Sequence, residues 1–434
     1  MKRSLLQRTL CVAGAAAAAT TTLALAAPAA HAVPVPVVVA AGGSDTTQDV
    51  MGDILAGANG TTVTYNGNQY TVTARNIPAY PLSAVSVPGD ANCPTTSWTK
   101  DPLAPSGSTT PTKGISPFGS GAGRDYLNFE ENTAPAGEKG CIDIARSSSG
   151  KRTTGTTNGT DGAQFEYFAY GLDAVSWAST SLKAPSTLTL AQIQGIYNCS
   201  ITNWDQVGGT SGPIVPYLPQ PGSGTRSFFI SAFLGGVTPS ASCVPSSKEI
   251  EENQGQTVAA ADIDKAILPY SAGLWDYQQS NKANPTIDKR NGAKLGGYTT
   301  GAGSPVKANP AQWVAGDNQY ELATPALVSF LGLPASYAVV SEVNVKTATP
   351  GFNANTDYNG IRYIYNVINK AAPTAVYESA KALVGFDTVG GAGAFKSPLC
   401  NGDNAGSIQS FGLATLDTSN PNSLNPTAST CRKV

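Results

Sequence analysis

The segment from Leu188 to Phe229 constrains the fold of this chain more than any other stretch. Apolar residues recur at helical spacing from Leu190 to Ile196, and a brief apolar strand then ends at Pro219. The corner Gly222-Ser223-Gly224-Thr225 follows and opens a second helix. Such a corner places hydroxyls and unpaired backbone N–H groups at a helix N-terminus, where an anion can bind.

Three further corners of the same kind occur along the chain. Each is rich in Gly, Ser and Thr, and the four together are Ser44-Asp45-Thr46-Thr47, Gly119-Ser120-Gly121-Ala122-Gly123, Arg146-Ser147-Ser148-Ser149 and Gly222-Ser223-Gly224-Thr225. The first, second and fourth corners each precede a predicted helix. The third corner follows the predicted strand Ile142–Ala145. Converging helix N-termini would hold an oxyanion, since each carries partial positive charge. The alternative is that every Ser or Thr is simply an N-cap.

The N-terminus predicts export. Basic residues precede an apolar run from Leu10 to Leu25, and Ala30-His31-Ala32 fits a small-x-small cleavage site. We therefore expect residues 1–32 to be a signal peptide and the mature chain to begin at Val33. Cys11 lacks a lipobox, so we expect a secreted protein, either released or associated with the cell wall; a retained membrane anchor is the alternative.

Composition excludes several classes of function. The only histidine, His31, would leave with the leader, which excludes hydrolases with a histidine base and His-ligated metal sites. Three of the 27 basic residues would also leave, so that 24 basic residues remain against 29 acidic ones. A mildly acidic, charge-poor chain is not typical of nucleic-acid binding. We expect a monomer with no metal, no cofactor and no catalytic residues.

Six cysteines remain after the leader. In an exported chain an even number indicates disulfides, although sequence alone allows 15 connectivities. We favour pairs that each close a loop within one region, namely Cys93–Cys141, Cys199–Cys243 and Cys400–Cys431. A metal cluster is the rival interpretation, but no C-x-x-C spacing supports it.

Predicted strands and helices alternate through most of the chain, which favours an α/β fold. About 400 residues exceed what one hydrophobic core usually organises, so two domains are expected. The chain is predicted to leave one region through a buried strand at Phe165–Val175. It is predicted to return to that region through an apolar segment at Asn359–Ile368. We therefore predict a discontinuous domain I (residues 33–167 and 345–434) with domain II (168–344) inserted. Residues 291–310 are predicted to be a surface loop.

In their order along the chain, these motifs resemble the phosphate-binding components of phosphate ABC transporters. The resemblance covers Leu188–Phe229, where ITNWDQVGG stands upstream of Gly-Ser-Gly-Thr, the corners at Gly43–Thr47 and Gly119–Gly123, and the segments at Asp143–Ser148, Phe168–Val175 and Ile267–Gly273. It implies a two-domain, type-2 periplasmic-binding-protein fold, with a ligand cleft between domains joined by a hinge.

The resemblance also implies the phosphate-binding residues. They come from the four corners and are Thr46, Thr47, Ser120, Arg146, Ser147, Ser148, Ser223, Gly224 and Thr225, with Asp45, Gly121 and Arg226 as further candidates. The first three corners would contact the anion from domain I, and Ser223-Gly224-Thr225 from domain II.

Two positions depart from the family's pattern. The family commonly has an aspartate where this chain has Ser148, and an arginine where it has Pro219. Arg146 and Arg226 stand beside two of the corners and could supply the missing guanidinium, and Asp45 could replace the missing acceptor.

These observations predict an extracellular solute-binding protein that binds inorganic phosphate or a related oxyanion in an interdomain cleft without transforming it. The resemblance implies an ABC-transporter permease as the partner, so that the bound anion would be taken up through the transporter. The alternative is that the protein scavenges the anion. Two alternatives remain open: a secreted adhesion or matrix protein that keeps the fold without a ligand, and a secreted phosphatase-like hydrolase.

Overall fold

The computed structural model describes residues 33–87, 93, 96–107, 110–132, 141–152, 161, 164–299, 360–387, 395–415 and 431–433. The described residues from Pro34 onward form one compact unit. The predicted leader and the predicted boundary at 344 lie outside the described residues.

Most of the strands join one mixed sheet. In chain order the described strands are β1 (Val35–Gly43), β2 (Thr62–Tyr65), β3 (Asn68–Asn76), β4 (Val85–Ser86), β5 (Ser97–Trp98), β6 (Ile144–Ser147), β7 (Phe165–Ser179), β8 (Thr187–Thr189), β9 (Val215–Pro216), β10 (Leu218–Pro219), β11 (Glu249–Ile250), β12 (Ala266–Ser271), β13 (Lys294–Thr299), β14 (Ile361–Asn369), β15 (Ala414–Thr415) and β16 (Arg432–Lys433). The main sheet has the order β2-β3-β1-β6-β14-β7-β12-β9; β13, β15 and β16 also pair with β7, and β8 pairs with β13.

Helices alternate with these strands. They are α1 (Gln48–Ala58), α2 (Ser120–Asn132), α3 (Leu190–Tyr197), α4 (Gly224–Ala232), α5 (Ala272–Ser280), α6 (Thr374–Val384), α7 (Pro398–Asn401) and α8 (Ala405–Ser410). The predicted α/β class is therefore confirmed. In the opening segment, α3 and α4 are the two helices expected on either side of the Gly-Ser-Gly-Thr corner.

Strand β1 runs into the sheet interior and ends at the first corner. It is parallel to both β3 and β6, and its last five residues are buried. At its end Gly43 has a φ of 119°, and a Cβ there would lie 2.6 Å from the backbone oxygen of Arg146. Only glycine fits this sharp, crowded turn, which leads the chain into α1.

Strands β7 and β14 form the centre of the sheet. All fifteen residues of β7 are buried, and the antiparallel β14 pairs with it from Ile361 to Asn369. The register places Arg362 directly opposite Asp173. Both strands were predicted, although the predicted boundary at 167 falls within the continuous strand β7.

The prediction of a surface loop at residues 291–310 was wrong for Lys294–Thr299, which form β13. This strand pairs antiparallel with β7 and parallel with β8. Its two glycines suggested a loop, but at Gly296 a Cβ would lie 2.1 Å from the Trp177 ring. The glycine therefore lets the strand approach the indole closely, a packing role rather than a turn.

Three disulfides link the described residues: Cys93–Cys141, Cys199–Cys243 and Cys400–Cys431. They are the three pairs favoured from the sequence. Within the described part of the chain, no helix combines the length and apolar character that crossing a membrane requires.

Candidate functional site

The predicted corners lie at the ends of strands and the beginnings of helices. Thr47 is the N-cap of α1, Ser120 is the first residue of α2, and Ser223 is the N-cap of α4. The Ser223 hydroxyl accepts a hydrogen bond from the Arg226 amide at 3.0 Å, so Ser223 does act as an ordinary cap. Thr47 is fully buried and makes no capping hydrogen bond with its side chain.

Three serine hydroxyls from different loops meet at one point. Ser148 Oγ lies 3.1 Å from Ser44 Oγ and 3.2 Å from Ser120 Oγ, and its backbone N–H donates to Ser120 Oγ at 2.8 Å. The N-terminus of α4 packs directly against them. A Cβ on Gly224 would lie 2.3 Å from Ser148 Oγ and 2.5 Å from Ser120 Oγ. The absence of a side chain at Gly224 is therefore what allows α4 to come this close.

A carboxylate oxygen occupies the centre of the site. Glu252 Oε1 accepts hydrogen bonds from Thr46 Oγ1 at 2.9 Å, from the Thr225 amide at 3.1 Å and from Thr225 Oγ1, and it lies 3.4 Å from Ser148 Oγ. We call these donors of Thr46, Ser148 and Thr225 the cradle. Glu252 itself is fully buried. Three of the four predicted corners thus supply donors to one oxygen atom.

A guanidinium lies beside the cradle. Arg362 Nη2 donates to Thr225 Oγ1 at 2.8 Å and to Thr46 Oγ1 at 3.3 Å. Each threonine hydroxyl thus accepts a hydrogen bond from Arg362 and donates one to Glu252. The same guanidinium forms a buried ion pair with Asp173, at 2.8 Å from Nη2 and 3.0 Å from Nε. Asp173 therefore fixes the direction in which Arg362 points.

The loop that carries Glu252 is held firmly in place. The Glu252 amide donates to Gln220 Oε1 at 2.8 Å, and Asn253 Nδ2 donates to Thr46 Oγ1 at 3.0 Å. Asn253 has a φ of 58°, a left-handed conformation that asparagine tolerates better than most residues. Asn253 Oδ1 in turn accepts from the Ser271 amide at 2.7 Å.

Two more buried carboxyl groups surround the site. Burial is the main cause that raises the pKa of Asp45 to about 7, with further contributions from the charges of Glu252 and Asp49. Burial likewise raises the pKa of Glu251 well above its usual range, and the charges of Asp45 and Glu252 add to this. The surroundings of the cradle are therefore rich in acidic groups, and its contacting cation, Arg362, is already paired with Asp173.

The two arginines selected from the sequence direct their donors elsewhere. Arg146 is fully buried and donates to the carbonyl oxygens of Ala41, Ser44 and Ile77, so it ties together the loops that frame the first corner. Burial lowers its pKa to about 10. Arg226 donates to Pro219 O at 2.8 Å and to Glu249 at 2.7 Å. A ligand-binding role for either arginine stays a prediction.

Other predicted residues lie around the cradle with other partners. Ser147 Oγ accepts from Arg124 at 2.6 Å and donates to the Ser149 carbonyl at 2.7 Å. The Gly121 amide donates to Gly222 O at 2.8 Å, which joins the second and fourth corners through the backbone. Asp45 accepts from Gln254 Nε2 at 3.3 Å.

Sequence reasoning did not select Glu252, Arg362 or Asp173. A signal for Arg362 was present, because a single arginine stands near the start of the otherwise apolar run IRYIYNVIN. The consecutive pair Glu251-Glu252 was also unusual in a chain with only 13% charged residues. A charge that survives in a buried segment is normally paired, which is what the structure shows for Arg362.

Comparison with protein families identifies the class of protein. Residues 103–386 match the family described as PBP superfamily domain, which is more than half of the chain. The chain therefore belongs to this family, and the predicted periplasmic-binding-protein fold is confirmed. No curated protein sequence matches the chain.

Among solved structures, the chain is similar to an ABC-type phosphate transport receptor from Vibrio cholerae. The two are 15% identical, with 87% of this chain and 99% of the other covered and a TM-score of 0.41. It is also similar to a human phosphate binding apolipoprotein, with 16% identity, 76% and 96% coverage and a TM-score of 0.40.

Proposed function

We propose that this protein is an exported solute-binding protein that binds a small oxyanion, with inorganic phosphate as the first candidate, and releases it unchanged. One observation carries the proposal: hydroxyl and amide donors from three of the four corners converge on one oxygen atom of Glu252. The hydroxyls of Thr46 and Thr225 also contact Arg362. We take the Glu252 oxygen as a stand-in for one oxygen of the solute.

The donor set suits an oxyanion. The Thr225 amide stands in the first turn of α4, where backbone N–H groups lack helical partners and carry partial positive charge. The threonine hydroxyls are polarised by Arg362, which strengthens them as donors. Donors fixed in a buried site are preorganised for an anion that replaces the Glu252 carboxylate, and this lowers the cost of binding.

The wider role follows from the family. Membership of the PBP superfamily domain supports a solute-binding role, and the predicted domains I and II would close around the solute, with Thr46 and Ser148 on one side and Thr225 on the other. Uptake through an ABC-transporter permease, or scavenging by a secreted or wall-associated protein, would follow capture.

Calorimetry on purified, anion-depleted protein tests the proposal. We expect heat on titration with phosphate, and we expect Thr225→Val to weaken binding by about 1–3 kcal/mol because a buried anion loses a donor. Thr238→Val is the matched control, since Thr238 is exposed and lies beyond the C-terminal end of α4. Equal affinity of the two variants would place the solute elsewhere.

A second candidate function rests on the same carboxylate. Glu252 already fills the cradle, which favours an adhesion or matrix protein that has kept the fold and dispensed with the solute. Absence of heat with phosphate, sulfate and a phosphonate alike would support this candidate and contradict the first.

A further inference from the structure

The Arg362 guanidinium uses one of its edges for the ion pair with Asp173. Its Nε and Nη2 atoms both donate to Asp173 Oδ2, at 3.0 and 2.8 Å. The other carboxylate oxygen, Oδ1, accepts from the Ser271 hydroxyl at 2.7 Å and from the Gly273 amide at 3.3 Å. Both oxygens of Asp173 are therefore bonded, and the edge formed by Nε and Nη2 is held in a fixed direction.

The second edge of the guanidinium is formed by Nη2 and Nη1 and lies at the cradle. Nη2 donates to the hydroxyls of Thr225 and Thr46. On α4, the Phe228 ring centre lies 5.8 Å from the guanidinium carbon Cζ and packs against the group as well. Because a guanidinium is planar and rigid, Nη1 is fixed beside the nitrogen that contacts both threonines.

Nη1 itself is an unsatisfied donor. Among the described residues, it is one of the buried side-chain atoms that have no hydrogen-bond partner. The Thr46 hydroxyl cannot serve it, since this oxygen already accepts from Arg362 Nη2 and Asn253 Nδ2 and donates to Glu252. Nearly all buried polar groups in folded proteins are paired, and an unpaired one is costly. An oxygen of a molecule bound at the cradle would supply the missing acceptor.

The charges around the cradle make a contacting cation necessary for anion binding. Burial raises the pKa of Glu251, and the charges of Asp45 and Glu252 add to this, so several buried carboxyl groups act on one another here. A desolvated anion is costly to hold in such surroundings unless a cation contacts it directly. Arg362 is placed for this contact, because its Nη2 atom lies 2.8 Å from the Thr225 hydroxyl.

Building on the proposed function, we infer that Arg362 is a ligand-binding residue and that the solute is an oxyanion with at least two oxygen atoms. One oxygen takes the place of Glu252 Oε1 in the cradle, and a second accepts a hydrogen bond from Arg362 Nη1. The cation of the site therefore comes from the central strand β14 and not from a residue beside one of the four corners.

The test compares wild-type protein with Arg362→Lys in calorimetric titrations with phosphate. Lysine keeps the positive charge and can still pair with Asp173, but one ammonium group replaces the two-edged guanidinium. We expect phosphate to bind the variant about ten- to hundredfold more weakly, the effect of losing one hydrogen bond to a charged group. Cooperative unfolding of the variant in urea checks that it is folded. Unchanged affinity would overturn the inference.

Arg290→Lys is the matched control. Arg290 is also a buried arginine that pairs with an aspartate, with Nε 2.8 Å from Asp288, and its Cζ lies 5.1 Å from the centre of the Trp275 ring. Its guanidinium donates to Asp288 and Gln279 and not to the cradle. We expect this variant to bind phosphate as wild type does. A loss as large as that of Arg362→Lys would overturn the inference, because any buried arginine would then have the same effect.

A second measurement requires no variant. In a crystal structure of the wild-type protein with phosphate, we expect one phosphate oxygen within hydrogen-bond distance of the Thr46 and Thr225 hydroxyls and another within hydrogen-bond distance of Arg362 Nη1. Phosphate bound by the threonines but out of reach of Nη1 would overturn the role of Arg362.

The outcomes separate the two proposals. Phosphate binding that is equal in wild type and Arg362→Lys would overturn the role of Arg362 and leave the proposed function intact. Weaker binding by Arg362→Lys together with normal binding by Arg290→Lys would support both proposals. Failure of the wild-type protein to bind phosphate and sulfate would overturn both. Should Arg362→Lys fail to fold, the crystal structure with phosphate decides the role of Arg362.

Discussion

Arg362 and Asp173 face each other across β14 and β7, and the Arg362 guanidinium that pairs with Asp173 at 2.8 Å also lies 2.8 Å from the Thr225 hydroxyl. Both side chains of the ion pair are fully buried. The central strands β14 and β7 therefore place the Arg362 guanidinium beside the N-terminus of α4. The geometry of the site thus depends on sheet register as much as on the loops.

Loss of the arginine should destabilise the fold. Arg362→Met leaves Asp173 as a buried charge without a partner, and we expect the free energy of unfolding in urea to fall by about 3–5 kcal/mol. The double variant with Asp173→Asn should recover part of this loss, since Asn can still accept from Ser271.

Arg226→Met provides the comparison for this experiment. Arg226 pairs with Glu249 at a partly exposed position, with side-chain exposures of 18% and 10%. Its loss should therefore cost only about 1 kcal/mol. Similar costs for the Arg226 and Arg362 variants would contradict the special position of the buried pair.

Close packing at Gly224 gives a second prediction. In Gly224→Ala the new methyl group would meet the hydroxyls of Ser120 and Ser148, so we expect a loss of about 1–3 kcal/mol in unfolding free energy and weaker anion binding. Gly57→Ala in α1 is the control, because nothing lies within 4 Å of its Cβ position. That variant should gain about 0.5–1 kcal/mol from reduced backbone freedom. Equal effects in urea titrations would show that the contact at Gly224 does not matter.

Removal of a disulfide gives a third prediction. The Cys199–Cys243 bridge closes a segment of 44 residues that includes α4 and the Gly-Ser-Gly-Thr corner. Replacement of both cysteines by serine should lower the free energy of unfolding by about 2–4 kcal/mol. Thermal unfolding with and without reductant checks this, because the variant should lose the reductant sensitivity that this bridge contributes. An unchanged midpoint would mean that other contacts hold the segment.

The local parts of the site could be predicted from the sequence, and the distant ones could not. Gly222–Thr225 was recognisable because a helix cap is encoded in neighbouring residues. The contact from Arg362 to Thr46 spans 316 positions and that from Glu252 to Thr46 spans 206. Strand order and register across the sheet decide which distant residues come into contact. The hydrophobic periodicity of a single segment therefore cannot predict such contacts. For the same reason sequence reasoning selected Arg146, which begins the third corner, and did not select Arg362.

The buried Asp45 predicts a pH dependence of stability. Its pKa is raised from 3.8 to about 7 in the folded protein, mainly by burial, against opposing effects of Lys289 and Gln254. The folded state therefore binds more protons than the unfolded state between about pH 4 and pH 7, so this residue's contribution to stability falls as the pH rises through that window and is constant above it. In Asp45→Asn that decline is absent. We expect the variant to match wild type near pH 4 and to exceed it at pH 8 by up to about 4 kcal/mol, the equivalent of about three pKa units. Urea unfolding at a series of pH values measures the difference, and a difference that does not change with pH would contradict the assignment to Asp45.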